Sequence, residues 1–394
     1  MEMLEKKIKN KNIIILFSEI EEIIERRFLF LWQGVEIYLK NGKSYFFNLF
    51  SEDSKNKIFE FFKTDEKVKN LIHTRDFLIK EKEICKQWAN FHLQTYEYLL
   101  LVNKYGSRSF NDNGQYPIFP WVIIKDFNNI EEINEINENV MLILKFLNNK
   151  LENTNLDLKF KGLLKFIRKM EYPICIQNEE KVKMMIEKYK EEDDKFKYHL
   201  CIHYSTSSYI YYYLMRQEPY SDLLIELQNY QQENPNRMFV GINQSISLLD
   251  KGKDPRELIP ELFTRFEYLI NLNCVFFGFR HDKSIVDDNL ISFFSQNKNR
   301  NPFYKYIRFI IEHRKLLNSK LISISINEWI DNIFGIYQLP QNKKLRENRC
   351  NIFMKSSYEQ KMNMLQKFNK FKEKMKNGDE NKRKNFIKFF SKIN

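Results

Sequence analysis

The sequence predicts a mainly α-helical protein with irregular extended segments, preceded by a β-hairpin and one helix. Two runs of aromatic and β-branched residues flank Asn41 and Gly42, and long stretches after residue 66 have helical periodicity. Residues 103–121 combine turn residues and prolines with five aromatic side chains. The chain has 394 residues, 43% of them hydrophobic, so it is long enough to bury a large core.

A hairpin followed by a helix is expected within residues 12–63. Asn-Gly between two strand-like runs favours a tight turn, so the strands should pair antiparallel across Asn41 and Gly42. Ser54 can cap the next helix. The side chains of this helix that should face a core are Ile58, Phe59, Phe61 and Phe62.

Helical patterns dominate the following stretches. Residues 66–102 are predicted to be helical, and their apolar face consists of Trp88, Phe91, Leu93, Tyr96, Leu99 and Leu100. After an acidic linker, the sequence VMLILKFL at 140–147 predicts a short buried helix. Asp254 and Pro255 form a helix-start pattern, with Asp254 as the N-cap and Pro255 in the first turn.

Residues 103–121, NKYGSRSFNDNGQYPIFPW, fit neither a regular helix nor a strand. Pro117 and Pro120 fix two φ angles and remove two backbone donors, and residues 111–114 are a dense turn signal. Exposing the aromatic side chains would be costly, at roughly 25 cal/mol per Å². We therefore predict an irregular buried segment rather than an exposed proline-rich ligand motif. Its backbone needs polar partners, which can come from Asn103, Arg108, Asn111, Asp112 and Gln115.

The same segment resembles the signature of the BEACH domain family, which includes the beige, Chédiak–Higashi and neurobeachin proteins. The resemblance rests on Arg108-Ser109, Asn111-Asp112 and the run QYPIFPW at 115–121, with Tyr96-Glu97-Tyr98-Leu99 upstream. Further matching blocks are His203-Tyr204-Ser205, Arg216 to Tyr220, and the stretches at 255–263 and 326–335. Leu200-Cys201-Ile202 departs from the family pattern, which has Tyr-Gly-Thr there.

The residues before this region resemble part of the pleckstrin-homology-like (PH-like) domain that precedes BEACH domains. Arg26-Arg27-Phe28-Leu29 and Glu36-Ile37-Tyr38 carry this similarity, and the family's first strands are missing. The organisation implied is a partial PH-like domain at 1–65, a linker or helix at 66–80, a BEACH domain at 81–355 and a basic amphipathic tail at 356–394.

The resemblance implies a non-enzymatic scaffold in membrane and vesicle traffic, at endosome–lysosome or secretory membranes. Such a scaffold would bind protein partners through the joint PH–BEACH surface, in the cytoplasm and peripherally on endomembranes. The residues expected in a partner-binding groove or its supporting shell are Asn103, Arg108, Asp112, Gln115, Tyr116, Trp121, His203, Arg216 and Glu218. The alternative for Arg108 with Asp112, and for Arg216 with Glu218, is a structural ion network that holds loops in place.

No catalytic motif is present: the sequence contains no P-loop, GxGxxG, HExxH or GxSxG pattern. His199, Cys201 and His203 could form part of a metal cluster, but they lack a fourth ligand. The five cysteines include no CxxC pair. We therefore expect no enzyme activity, cofactor, metal or small-molecule substrate.

The charge distribution gives a second function class. Of the formal net charge of +12, a large part comes from residues 361–392, with eleven basic and three acidic residues. A basic amphipathic tail is typical of elements that bind anionic membrane surfaces, although a solvated tail is the alternative. The lipid-facing candidates are Arg26, Arg27, Lys367, Lys370 and Lys374. Nucleic-acid binding would rest on charge alone and is not expected, and neither a signal peptide nor a membrane span is predicted.

Overall fold

The computed structural model describes residues 13–28, 31–73, 77–125, 130–137, 139–152, 154–193, 197–251, 254–286 and 303–354. The chain divides into two compact units, Met1–Glu81 and Lys82–Asn394. A sheet followed by a helix forms the first unit, and helices joined by long irregular segments form the second. The predicted fold class is confirmed.

The first unit contains a four-stranded sheet in the order β3-β2-β1-β4. The strands are β1 (Ile20–Phe28), β2 (Leu31–Leu39), β3 (Ser44–Asn48) and β4 (Ile72–His73). Strand β2 pairs antiparallel with both β1 and β3, and β4 pairs parallel with β1. The turn between β2 and β3 contains Asn41 and Gly42, and Gly42 has a φ of +80°. The predicted hairpin is therefore confirmed, and β1 extends it on the other side of β2.

Helix α1 (Glu52–Thr64) packs on this sheet. Its N-cap is Ser51, whose side chain accepts the Ser54 backbone N–H, so the assignment of Ser54 as the cap was wrong by three residues. Phe59 and Phe62 are buried in a core with Ile23 and Val35, whereas Phe61 is 60% exposed. One predicted core position of the helix therefore faces solvent.

The helices of the second unit are short and connect segments without regular structure. In chain order they are α2 (Phe77–Ala89), which begins before the boundary, α3 (Thr95–Tyr105), α4 (Ile130–Asn137), α5 (Val140–Leu147), α6 (Asn155–Leu164), α7 (Glu179–Glu191), α8 (Ser207–Leu214), α9 (Tyr220–Leu227), α10 (Ile242–Lys251), α11 (Tyr304–Leu317), α12 (Lys320–Ser323), α13 (Ile326–Ile333) and α14 (Lys343–Asn348).

Three predictions about these helices need correction. The stretch at 66–102 is not one helix: it begins with a 3₁₀ turn at Lys69–Leu71 and strand β4, and its helix is interrupted after Ala89. Phe91 is 87% exposed rather than part of an apolar face. Helix α5 exists, but Met141, Leu144 and Leu147 are exposed, so it is only half-buried. Asp254 and Pro255 do not start a helix: the next helical turn is a 3₁₀ turn at Pro260–Phe263.

Candidate functional site

The central segment, residues 103–121, crosses the core of the second unit. Helix α3 ends at Tyr105, and the chain then continues without a regular helix or strand. Tyr116, Phe119 and Trp121 are 3%, 0% and 0% exposed. The predicted burial of this irregular segment is confirmed, so its backbone must be satisfied from inside the protein.

Asn103 provides much of that support from the last turns of α3. Its Oδ1 accepts the Ile118 backbone N–H at 2.9 Å, and its Nδ2 donates to the Ile118 carbonyl at 2.9 Å. The side-chain amide therefore pairs with both backbone groups of one residue, as a neighbouring strand would. Asn103 is fully buried, so these two bonds replace contacts with water.

Arg108 supports the segment a few residues further along. Its Nη1 donates to the Tyr116 carbonyl at 2.7 Å and to the Ser205 hydroxyl at 3.1 Å. These contacts take the place of the suggested pairing with Asp112, whose Oδ1 accepts the backbone N–H groups of Gly114 and Gln115. Burial lowers the pKa of Arg108, and the nearby Tyr204 and Asp112 offset part of that shift.

Tyr116 and Trp121 connect the segment to residues 254–263. The Tyr116 hydroxyl donates to Glu261 Oε1 at 2.6 Å, and Trp121 Nε1 donates to the Arg256 carbonyl at 3.0 Å. Burial raises the pKa of Glu261, although the Tyr116 hydrogen bond acts in the opposite direction. A buried carboxyl with a raised pKa binds a proton more readily in the folded state than in the unfolded chain.

The chain at 254–263 runs beside the central segment. Phe119 and Leu258 exchange two backbone hydrogen bonds, of 2.8 and 2.9 Å. Next to them, Arg168 and Glu257 form a bidentate buried ion pair with two bonds of 2.7 Å. These residues were not singled out from the sequence, because the pair joins positions that are 89 residues apart.

Of the remaining predicted site residues, one lies beside the central segment and two have other surroundings. His203 lies near Arg108, since its ring contacts the Tyr204 ring at a tilt and its Nδ1 contacts the Ser205 backbone. Arg216 is fully buried elsewhere, where Nη2 donates to the Phe239 carbonyl at 2.6 Å. Glu218 is exposed, and its Oε1 accepts the Ser221 hydroxyl.

An open apolar groove of about 510 Å³ lies on the same unit. Its walls come from the end of α2 and the turn after it, the start of α3, α5 and α12. The apolar side chains that line it are Trp88, Phe91, Leu93, Ile143, Leu144 and Ile324. Among the lining residues, the charged side chain is Lys320.

Two profiles of known protein families match the chain. Residues 86–392 match the profile of the Beige/BEACH domain, and residues 2–63 match that of the PH domain associated with Beige/BEACH. The chain belongs to the BEACH domain family. The BEACH match includes most of residues 356–394, which we predicted as a separate tail.

Two nematode proteins described as neurobeachin homologues are similar to this BEACH chain. The Caenorhabditis briggsae and Caenorhabditis elegans proteins are each 28% identical over 333 residues, which is 82% of this chain. The chain spans only 12% of the length of each relative.

The lipid-facing prediction is wrong for Arg26. This side chain is 1% exposed, and its Nε bonds Glu36 at 2.7 Å while Nη2 donates to the Tyr38 hydroxyl. Arg27 is exposed, and its guanidinium lies over the Trp32 ring. Lys367, Lys370 and Lys374 lie outside the described residues. Over the described part of the chain, no helix combines the length and apolar character needed to cross a membrane.

The histidines and cysteines considered as metal ligands have other surroundings. The buried His199 ring stacks on Tyr189, and burial lowers its pKa to about 4. Cys201 faces solvent. Within the described ranges, no group of three or more metal-binding side chains is close enough to hold an ion.

Proposed function

We propose that this BEACH chain is a non-enzymatic scaffold in membrane and vesicle traffic. It acts by binding protein partners on the cytoplasmic side of endosome–lysosome or secretory membranes. The observation that supports this proposal is the BEACH match over residues 86–392, together with the similarity to neurobeachin homologues. The chain's own contacts are consistent with it, because the polar groups of the central segment hold backbone rather than converge on an open cleft.

The predicted site residues divide into two roles under this proposal. Four of them are buried along the central segment and serve as the supporting shell: Asn103, Arg108, Tyr116 and Trp121. Arg216 is buried elsewhere, against the Phe239 carbonyl. The others are partly or fully accessible and are available for partner contacts: Asp112, Gln115, His203 and Glu218. A binding surface of this kind needs accessible side chains in fixed positions, and the buried contacts provide that rigidity.

Loss of the protein in its source organism tests the trafficking role. We expect cells lacking the chain to deliver an endocytosed fluorescent dextran to lysosomes, or to secrete a reporter enzyme, at least twofold more slowly. Re-expression of residues 1–394 should restore the rate. Unchanged rates for both cargoes in the deletion strain would overturn the proposal, and catalytic turnover by the purified chain would overturn its non-enzymatic part.

A second candidate function is peripheral binding to anionic lipid. The observation that favours it is the concentration of eleven basic residues within 361–392, because each lysine near an anionic leaflet contributes about 1 kcal/mol. We expect the full chain to sediment with phosphatidylserine vesicles more strongly than a chain that lacks residues 356–394. Equal sedimentation of the two chains would remove this function, and neutral vesicles serve as the control.

A further inference from the structure

The groove has an unusual edge at the turn after α2. The His92 backbone N–H donates to the Gln87 carbonyl, and the Phe91 N–H donates to the Trp88 carbonyl. This is the Schellman ending of a helix, in which the position of Phe91 is usually filled by glycine because its φ is positive. Here φ is 60°, and the residue is an aromatic with 87% of its surface exposed. Folding alone does not favour phenylalanine at this position.

Helix α5, which lines the groove with Ile143 and Leu144, also exposes more apolar surface than a solvent-facing helix requires. Met141, Leu144 and Leu147 lie on one side of α5, spaced three residues apart, and are exposed by 65%, 46% and 51%. They form a stripe about 9 Å long at 1.5 Å per residue. Exposed apolar side chains that lie together mark an interaction site more often than single scattered ones do.

The charged side chain among the residues that line the groove is positive. No carboxylate in the described part of the chain lies within ion-pair distance of the Lys320 ammonium, which is exposed. Helix α3 also begins in the groove, with Gln94 as its N-cap. The first turn of α3 contains Glu97, whose carboxylate pairs with Arg314, so Lys320 is the charge that the groove lining offers to an occupant. An occupant should therefore combine apolar side chains with a negative charge.

We propose that this groove binds an amphipathic α-helix of a partner protein. The helix places large apolar side chains between Phe91 and Leu144 and an acidic side chain next to Lys320. The inference rests on the proposed scaffold function and names the chemistry of one partner. Helix-in-groove recognition uses apolar anchors three and four residues apart, which matches a groove walled by α5 and the turn after α2.

Charge separates this occupant from the chain's own C-terminal residues. Residues 361–392 carry eleven basic and three acidic side chains, so they would bring positive charge to Lys320. Like charges at a contact weaken binding and suppress the wrong partner. The groove volume is within the range of small-ligand pockets, about 300–1,000 Å³, but such a ligand would leave Met141 and Leu147 in water.

The test measures binding of fluorescein-labelled 16-residue peptides to the full chain by fluorescence anisotropy. One peptide is an amphipathic helix with leucine and phenylalanine on one face and glutamate on the other. The second has lysine in place of every glutamate. We expect the acidic peptide to bind at least tenfold more tightly than the basic peptide.

Three variants locate the binding. Phe91→Gly should weaken the acidic peptide at least fivefold while keeping or raising the melting temperature, since glycine suits the positive φ. Leu144→Asp should weaken it at least tenfold. Lys320→Glu should reverse the preference toward the basic peptide. The matched controls, Leu248→Asp and Lys344→Glu, change exposed residues of other helices and should leave the affinity unchanged.

Each contrary result overturns the inference. In the first, the unaltered chain binds the basic peptide more tightly than the acidic one. In the second, Phe91→Gly and Leu144→Asp leave the affinity for the acidic peptide unchanged. In the third, oleate displaces the acidic peptide. Self-association that Leu144→Asp abolishes would instead assign the groove to a second copy of the chain. The cargo-delivery assay tests the scaffold function separately. If the peptide does not bind but transport is slowed in the deletion strain, only the binding of a helix in the groove is rejected.

Discussion

Replacing Asn103 by alanine removes the contact that holds the middle of the central segment. The change leaves the N–H and C=O groups of Ile118 without the side-chain amide that satisfies them. Ile118 is 1% exposed, so water cannot take over without an opening of the core. An unsatisfied buried polar group costs about 1–3 kcal/mol, so two such groups cost about 2–6 kcal/mol.

The expected loss is large enough to measure by thermal unfolding. For a unit that spans Lys82–Asn394, the usual unfolding entropy per residue makes 1 kcal/mol worth roughly 1.5 °C, so Asn103→Ala should lower the melting temperature by at least ~3 °C. Limited trypsin digestion gives a local measure, because Arg108 is buried in the intact segment. We expect cleavage after Arg108 in the variant at protease concentrations that leave the unaltered chain intact.

The control is Asn90→Ala, which truncates an exposed asparagine in the turn after α2. Surface substitutions of this kind usually change stability by less than about 0.5 kcal/mol. If Asn103→Ala and Asn90→Ala melted together and resisted trypsin equally, the side-chain amide of Asn103 would not hold the segment. The account of a buried loop supported by polar side chains would then fail.

Two further predictions concern the contacts beside this segment. Glu257→Met leaves the buried guanidinium of Arg168 without its partner and should lower the free energy of unfolding in chemical denaturation by about 3–5 kcal/mol. The double change with Arg168→Met should lower it less, and equal losses for the single and double variants would contradict this. Burial raises the folded-state pKa of Glu261 above the unfolded value of about 4.3, so its contribution to stability is present below that pH and is lost as pH rises through the folded pKa. Melting temperatures between pH 4 and 8 should therefore fall less steeply for Glu261→Gln than for the unaltered chain, and parallel curves would refute the assignment.

Local signals account for the parts of the fold that were predictable from the sequence. The β2–β3 turn follows from Asn41 and Gly42, because a positive φ at Gly42 needs little long-range support. The pairing of β1 with β2 was not predicted, because residues 26–33 contain no glycine, proline or asparagine to mark a turn. The break after α2 was missed for a related reason, since Phe91 occupies a position where glycine would have signalled the helix end.

The candidate site was also predictable only where local sequence signals were sufficient. Burial of the central segment was predictable, because its aromatic content conflicts with its turn residues and only one environment satisfies both. The partners of its side chains were not predictable, since Tyr116 reaches Glu261 and Arg108 reaches Ser205 across 145 and 97 positions of the chain. Short sequence spacing suggested Asp112 as the ion-pair partner of Arg108 and Glu218 as that of Arg216. In the folded chain Arg108 instead donates to the Tyr116 carbonyl and Ser205, and Arg216 donates to the Phe239 carbonyl.

Helix α3 connects the two features that carry the functional proposals. Its first residue, Thr95, lines the groove, and Asn103 in its last turns supports the central segment. Its first turn is also fixed from α11, because the Asn318 side chain accepts the Tyr96 backbone N–H and the Arg314 guanidinium lies over the Tyr96 ring. Because α3 is held at both ends, we expect loosening of the central segment to affect the groove only through the stability of the whole unit. Asn103→Ala should therefore lower the melting temperature without changing the affinity for the acidic peptide at 10 °C. Phe91→Gly should weaken that affinity without lowering the melting temperature. Loss of both properties in both variants would show that the groove and the segment are one cooperative structure.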